Sequence, residues 1–330
     1  MEKLTVLIEA RPFCVFDHSA MEKLKGETVE IIDMKGSGIE NPDFVTALGT
    51  ADAVLAGNDL RINDALFDMA PHLKVIAKMG AGLDTVDIDA ATRHHAIVFH
   101  TPGVNNQAVA DHTFALILGV ARKIHYCDRS LRENRWEHTR IMGLEIWQKT
   151  LGLIGLGAIG QCVALRAKGF QMRVIAHDPF WPESFAVEQD IQKVEIDQLL
   201  QTADIVSIHS PLMPETRNLI DARALGLMKP SALLINAARG GIINEADLFE
   251  ALRKGEIAGA GLDVFETEPP VESPLMELDN VVVTPHTAAF THDAMNAMSD
   301  GVVDQLIEYL KGKQPAHVVN PEVWKHHQNS

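Results

Sequence analysis

The chain has 330 residues, 46% of them hydrophobic, which is enough to bury a sizeable core and suits two domains. Its 45 acidic against 29 basic side chains give a formal net charge of -16, which argues against nucleic-acid binding, where basic patches neutralise phosphate. No run of about 20 apolar residues is present to span a membrane, and Met1 to Ala10 lacks the basic start and long apolar stretch of a secretory signal.

Short apolar runs recur at Thr5–Ile8, Val29–Ile32, Ala53–Ala56, Val75–Ala77 and Ile97–Phe99, separated by helix-compatible segments such as Pro42–Leu48 and Asn63–Met69. Strands alternating with helices over short connections predict a parallel sheet covered by helices. Thr101-Pro102-Gly103 breaks this pattern, and Asn106–Arg122 is apolar enough for a buried helix. A second α/β set follows, with strands at Thr150–Ile154, Met172–His177, Asp204–His209, Ala232–Asn236, Ala258–Val264 and Val281–Thr284. Its helices are expected at Ala158–Gly169, Ile196–Thr202 and Glu245–Lys254, the last capped by Asn244 and stopped by Gly255. Beyond Thr284-Pro285 a final helix, Thr291–Leu310, is expected to return to the first domain, and the tail Trp324–Ser330 reads as polar and loose. Cys14, Cys127 and Cys162 form no CxxC pair and read as the reduced thiols of a cytoplasmic protein.

Gly155, Gly157 and Gly160 form a GxGxxG motif directly after an apolar strand and at the opening of a helix. Such glycines close a turn, let backbone approach a pyrophosphate and let the helix pack on the strand, while free amides near Ala158 and Ile159 face the negative charge. Asp178, at the end of the next strand, stands where an acidic side chain accepts hydrogen bonds from ribose hydroxyls. It would repel a 2′-phosphate, so the expected cofactor is NAD.

Dinucleotide-linked reduction of a carbonyl needs a group that holds the substrate, a proton donor, and a group that orients that donor. Arg239, Glu268 and His286 each follow a predicted strand and match these roles. The guanidinium of Arg239 can hold carboxylate and carbonyl oxygens with paired hydrogen bonds. A carboxylate at Glu268 can orient the imidazole of His286, the candidate general acid. Taken singly, each could be a surface or turn residue; after a dinucleotide loop they read together as a site. No HxxxH or HxH pair accompanies His286, so no metal is expected.

The segments GLGAIG, SIHSPLMPET, LLINAARGGIINEADL, AGAGLDVFETEPP and TPHTAAFT occur in the order found in the D-isomer-specific 2-hydroxyacid dehydrogenases, and the chain resembles that family from about Leu73 to Thr291. The resemblance is strongest to phosphoglycerate dehydrogenase-like members. It implies Arg239, Glu268 and His286 as the catalytic set and Asp263 against the nicotinamide carboxamide. It also implies cofactor contacts from His209, Ser210, Pro211, Thr216, Ala237, Ala238, Arg239, His286, Ala288 and Ala289. Lys78-Met-Gly-Ala-Gly82 resembles the family's substrate loop, with Lys78 as a point charge and amides around Gly80, Ala81 and Gly82 binding a carboxylate. Where phosphoglycerate dehydrogenases often carry Arg-Ser after the third strand, this chain has Gly57-Asn58, and Lys78 stands where they often carry Arg.

The expected architecture is two doubly wound parallel-sheet domains, with a Rossmann NAD domain (residues 102–286) inserted into a flavodoxin-like substrate domain (1–101 and 287–330). Substrate is expected in a cleft that closes against water. The expected partners are a small 2-oxo or 2-hydroxy acid and, by family resemblance, a second copy in a homodimer. Competing readings are a glyoxylate or hydroxypyruvate reductase, a phosphite-oxidising relative, and an NAD-sensing, corepressor-like binding protein.

Overall fold

The computed structural model describes residues 3–138 and 141–327. The chain divides into two compact units, Met1–Asn105 with Phe290–Ser330, and Asn106–Ala289. The expected boundaries at 101/102 and 286/287 fall a few residues early. The long helix begins only at Asn106, and Ala288, 4% exposed, packs in the core of the second unit.

The first unit holds β1 (Leu4–Ile8), β2 (Val29–Asp33), β3 (Ala53–Ala56), β4 (Val75–Lys78) and β5 (Ile97–His100). All pairings are parallel, in the order β2-β1-β3-β4-β5, the flavodoxin-like arrangement. Strands β3 and β4 are buried at every residue, which is why they read as continuous apolar runs rather than alternating ones. The helix His292–Leu310 belongs to this unit: Thr291 caps it by accepting from the Ala294 amide, and Met295, Met298, Val302 and Leu306 bury its apolar face.

The second unit holds β6 (Thr150–Ile154), β7 (Arg173–His177), β8 (Gln192–Lys193), β9 (Ile205–Ile208), β10 (Leu233–Asn236), β11 (Gly259–Leu262) and β12 (Val281–Val283). Its parallel sheet runs β12-β11-β10-β9-β6-β7-β8. The chain moves outward from β6 in one direction and returns to β9 on its other side. This reversal is the topological switch point, where open α/β sheets bind ligands beyond their strand ends. The two-residue β8 was not anticipated, because Gln192-Lys193 carries no apolar signal.

Glu245–Lys254 is a helix with Asn244 accepting from the Asp247 amide and Gly255 in the left-handed conformation at φ 72°, as its sequence predicts. Short helices at Ile88–Arg93 and Ala222–Leu227 were missed, although Asp87 and Asp221 cap them; six residues are too few to show a helical period. The expectation of a loose tail is corrected up to His327. Trp324 is buried, His327 Nε2 donates to the His95 carbonyl (2.8 Å) and its Nδ1 lies 2.8 Å from Tyr309 Oη, so an apolar anchor holds a polar-looking segment. The remainder of that tail, 328–330, lies outside the described residues. No helix among the described residues is long and apolar enough to cross a membrane.

Candidate active site

The glycine loop joins β6 to the helix Ala158–Ala167. Gly155 has φ 99°, and a Cβ there would lie 2.7 Å from the His209 carbonyl oxygen. A Cβ on Gly160 would lie 2.3 Å from the Gly155 oxygen, so the helix can seat on the turn only with glycine at that position. Around Gly157, which starts the helix, nothing lies within 4 Å of a hypothetical Cβ. The loop therefore offers open space at an electropositive helix end, the shape a pyrophosphate requires.

Two carboxylate and hydroxyl features support the same ligand. Asp178 accepts from the Leu156 amide (2.6 Å) and the Phe180 amide (2.7 Å), which fixes its carboxylate beside the loop with lone pairs left for ribose hydroxyls. His209 Nδ1 and Ser210 Oγ are buried with no hydrogen-bond partner among the described residues, next to the same turn. Burial pulls the His209 imidazole down to about 4, so it is neutral at pH 7. These orphaned atoms and the open glycine cradle fit a dinucleotide. Thr216 is placed differently from expectation. Its hydroxyl donates to the Pro211 carbonyl (2.7 Å) and accepts from the Met213 amide (2.8 Å), so it closes its own loop. Ala237 and Ala238 follow β10, and the Ala238 amide donates to Asn236 Oδ1.

Arg239, Glu268 and His286 follow β10, β11 and β12, three adjacent strands, so the sheet brings their segments to one edge of the unit. The Arg239 segment is held by Asn236 Nδ2 donating to the Arg239 carbonyl (2.8 Å), while Arg239 Nη1 donates to the Ala238 carbonyl (2.7 Å). Next to it, a Cβ on Gly240 would fall 1.8 Å from the Phe265 oxygen, so only glycine lets the β10 and β11 loops touch. Glu245 and Glu266 latch the same loops, each carboxylate accepting the other residue's amide (2.5 and 3.0 Å).

Glu268 Oε2 lies 2.7 Å from His286 Nδ1, and Glu268 Oε1 accepts from the Phe265 amide (3.1 Å). Burial pushes the Glu268 carboxyl up, but the hydrogen bond and charge of His286 and the Phe265 amide outweigh it and hold it below the ordinary value. An ionised Glu268 accepts from Nδ1–H and leaves Nε2 of His286 for a substrate oxygen. His286 itself sits in the left-handed region at φ 53°, where its amide donates to the Asp263 carbonyl (2.8 Å). Asp263, 1% exposed, accepts from Thr284 Oγ1 (2.6 Å) and from the amides of Thr287 and Ala288 (2.8 Å each). Its carboxylate thus organises the loop that carries His286, and one lone pair of Oδ2 remains for a carboxamide.

In the first unit the expected substrate loop follows β4. Gly80 has φ 116°, and its amide donates to Thr101 Oγ1 (2.9 Å), so Gly80 does not offer a free donor; the amides of Ala81 and Gly82 remain. Lys78 also departs from expectation. It is 1% exposed, and its ammonium donates to the Gly57 carbonyl (2.8 Å) and Asn58 Oδ1 (2.6 Å). It braces the loop after β3. Glu245, Glu266 and Thr284 lie inside the quoted segments, but nothing in their spacing along the chain marks the latch or the Thr284 hydroxyl bond.

A Rossmann sheet thus carries an open glycine cradle in the same unit as an imidazole–carboxylate pair and an arginine set on three adjacent strand ends. The family profile for D-isomer specific 2-hydroxyacid dehydrogenase, NAD binding domain, matches residues 114–288. The chain is 38% identical over 305 residues to D-3-phosphoglycerate dehydrogenase of Methanocaldococcus jannaschii, covering 91% of this chain and 58% of that one. It is 40% identical over 269 residues to glyoxylate reductase of Korarchaeum cryptofilum, covering 80% and 81%. The structure of a glyoxylate reductase from Paecilomyes thermophila matches with a TM-score of 0.87 at 29% identity, covering 98% and 100%. The chain belongs to the D-isomer-specific 2-hydroxyacid dehydrogenase family, and its second unit is the NAD-binding domain. It spans little more than half the length of the D-3-phosphoglycerate dehydrogenases it matches, 58% and 54% for two of them.

Proposed function

We propose that this chain catalyses NADH-linked reduction of a small 2-oxo acid to the D-2-hydroxy acid, and the reverse oxidation. The observation that carries this reading is the 2.7 Å pair of His286 and Glu268 beside an arginine-bearing strand end. When bound, the nicotinamide supplies the hydride. Arg239 holds the acid's carboxylate and polarises the 2-oxo group. His286 gives the proton on Nε2 to the carbonyl oxygen as C2 accepts the hydride, and Glu268 keeps the ring oriented and offsets its positive charge. In oxidation His286 takes the hydroxyl proton back. Asp178 favours NADH over NADPH, because a 2′-phosphate would meet its carboxylate.

Arg239→Lys tests the binding role. Lys lacks the planar paired donors, so KM for the oxo acid should rise by about tenfold or more. Unchanged kinetics would remove Arg239 from the site.

The burial of Lys78 favours an unphosphorylated acid such as glyoxylate or hydroxypyruvate over phosphohydroxypyruvate. Lys78 is 1% exposed and its ammonium bonds the Gly57 carbonyl and Asn58 Oδ1, so an incoming phosphate would compete with these partners for a buried charge. A homodimer is also proposed: Leu131, Trp136 and Met142 are 55%, 76% and 82% exposed in one stretch of the second unit. The three free cysteines suit a cytoplasmic protein.

A further inference from the structure

The helix Asn106–Ala121 lies unusually close to β11. A Cβ on Gly259 would be 2.7 Å from Val120 Cγ1, and one on Gly261 would be 3.0 Å from Leu116 Cβ. Gly259, Gly261 and Asp263 alternate onto one face of the strand, and Val120, Leu116 and His112 share one face of the helix. Two strand residues advance about 6.6 Å and four helical residues about 6.0 Å, so the two stripes stay in step when they run in opposite directions. The third pair in that register is His112 against Asp263. His112 Nε2 lies 2.9 Å from Thr284 Oγ1 and 3.4 Å from Asp263 Oδ1.

The direction of this chain of hydrogen bonds is fixed by proton counting. An ionised carboxylate only accepts, so the single hydroxyl proton of Thr284 goes to Asp263 at 2.6 Å. The hydroxyl can then only accept from His112, which must carry its proton on Nε2. Burial pushes the Asp263 carboxyl up, but the hydrogen bonds from His112, Thr284, Thr287 and Ala288 hold it below the ordinary value, in keeping with the ionised form.

We propose that His112 is a positioning residue: its Nε2–H sets the chain His112→Thr284→Asp263, which locks the Thr287 and Ala288 amides and so the left-handed backbone that aims His286. The inference rests on the dehydrogenase reading for its kinetic consequence, but not for its structural one. Gly259 and Gly261 acquire a purpose under it, since any side chain there would lift the helix and break the contact.

The test compares His112→Leu with His112→Gln, whose amide nitrogen reaches the place of Nε2 and can donate. In the full chain with NADH present, His112→Leu should lower kcat about tenfold or more, with KM for the oxo acid changed less than about threefold. His112→Gln should recover most of that loss. Hydrogen exchange followed by mass spectrometry should show the Thr287 and Ala288 amides exchanging faster in His112→Leu and returning toward wild type in His112→Gln. Equal losses in the two variants, an unchanged kcat in His112→Leu, or unchanged exchange at Thr287 and Ala288 would overturn the proposal. If the wild-type chain reduces no 2-oxo acid, the dehydrogenase reading fails, and the exchange experiment still decides the role of His112.

Discussion

Asp263 shows how much of this site depends on one buried carboxylate. It is 1% exposed and accepts a hydroxyl and two amides from the loop that carries His286. Asparagine would turn one acceptor oxygen into a donor facing amides, leaving buried donors unpaired at a cost of about 1–3 kcal/mol. Asp263→Asn should therefore lower stability by that amount at pH 7, measured by urea unfolding. The folded carboxyl lies below its ordinary value, so its contribution is complete above the unfolded value of about 3.9 and is lost as pH falls through the folded one. The gap between wild type and Asp263→Asn should then close in acid. A constant gap from pH 7 down to pH 3 would contradict this assignment. At this scale the sequence was informative about residues that end strands, because Arg239, Glu268 and His286 follow runs of apolar residues. It did not reveal that Lys78, Gly80 and Thr216 bond to Gly57, Thr101 and Pro211. Which partner satisfies a polar group depends on neighbouring strands, and no spacing along the chain reports that.

Among the elements, close approach governs the site more than helix or strand propensity does. Gly240 lets the loops after β10 and β11 touch, and Glu245 with Glu266 latches them. Gly240→Ala would place a Cβ 1.8 Å from the Phe265 oxygen, so the backbone must shift. Such overpacking costs about 1–3 kcal/mol, and it should also reduce kcat because Glu268 rides on the displaced loop. Gly226 provides the control. It lies in the helix Ala222–Leu227 with nothing within 4 Å of a Cβ, so Gly226→Ala should stabilise by about 0.5–1 kcal/mol. Thermal melts of the two variants check both signs, and a neutral Gly240→Ala would contradict the packing described. The strands and long helices were legible in the sequence because their periods are sustained, as was the cap at Asn244. β8 and the helices Ile88–Arg93 and Ala222–Leu227 were not, since they are held in place by the neighbours they pack on.

Across the whole molecule, the fold class was readable from strand–helix alternation, and the strand orders then identified one flavodoxin-like and one Rossmann sheet. The proposed homodimer belongs to this scale. If the exposed Trp136 and its neighbours are covered by a second copy, Trp136→Glu should shift sedimentation from dimer to monomer. A wild-type monomer at micromolar concentration would contradict it. The central claim is hydride transfer to a 2-oxo acid assisted by His286. The measurement that tests it most directly is NADH oxidation with glyoxylate, hydroxypyruvate, pyruvate and phosphohydroxypyruvate, repeated with NADPH and with His286→Gln. Turnover of at least one acid is expected, with NADH preferred to NADPH. A loss of about 10²-fold or more is expected in His286→Gln, with NADH binding retained. NADH binding without turnover of any acid, or full turnover in His286→Gln, would contradict this claim.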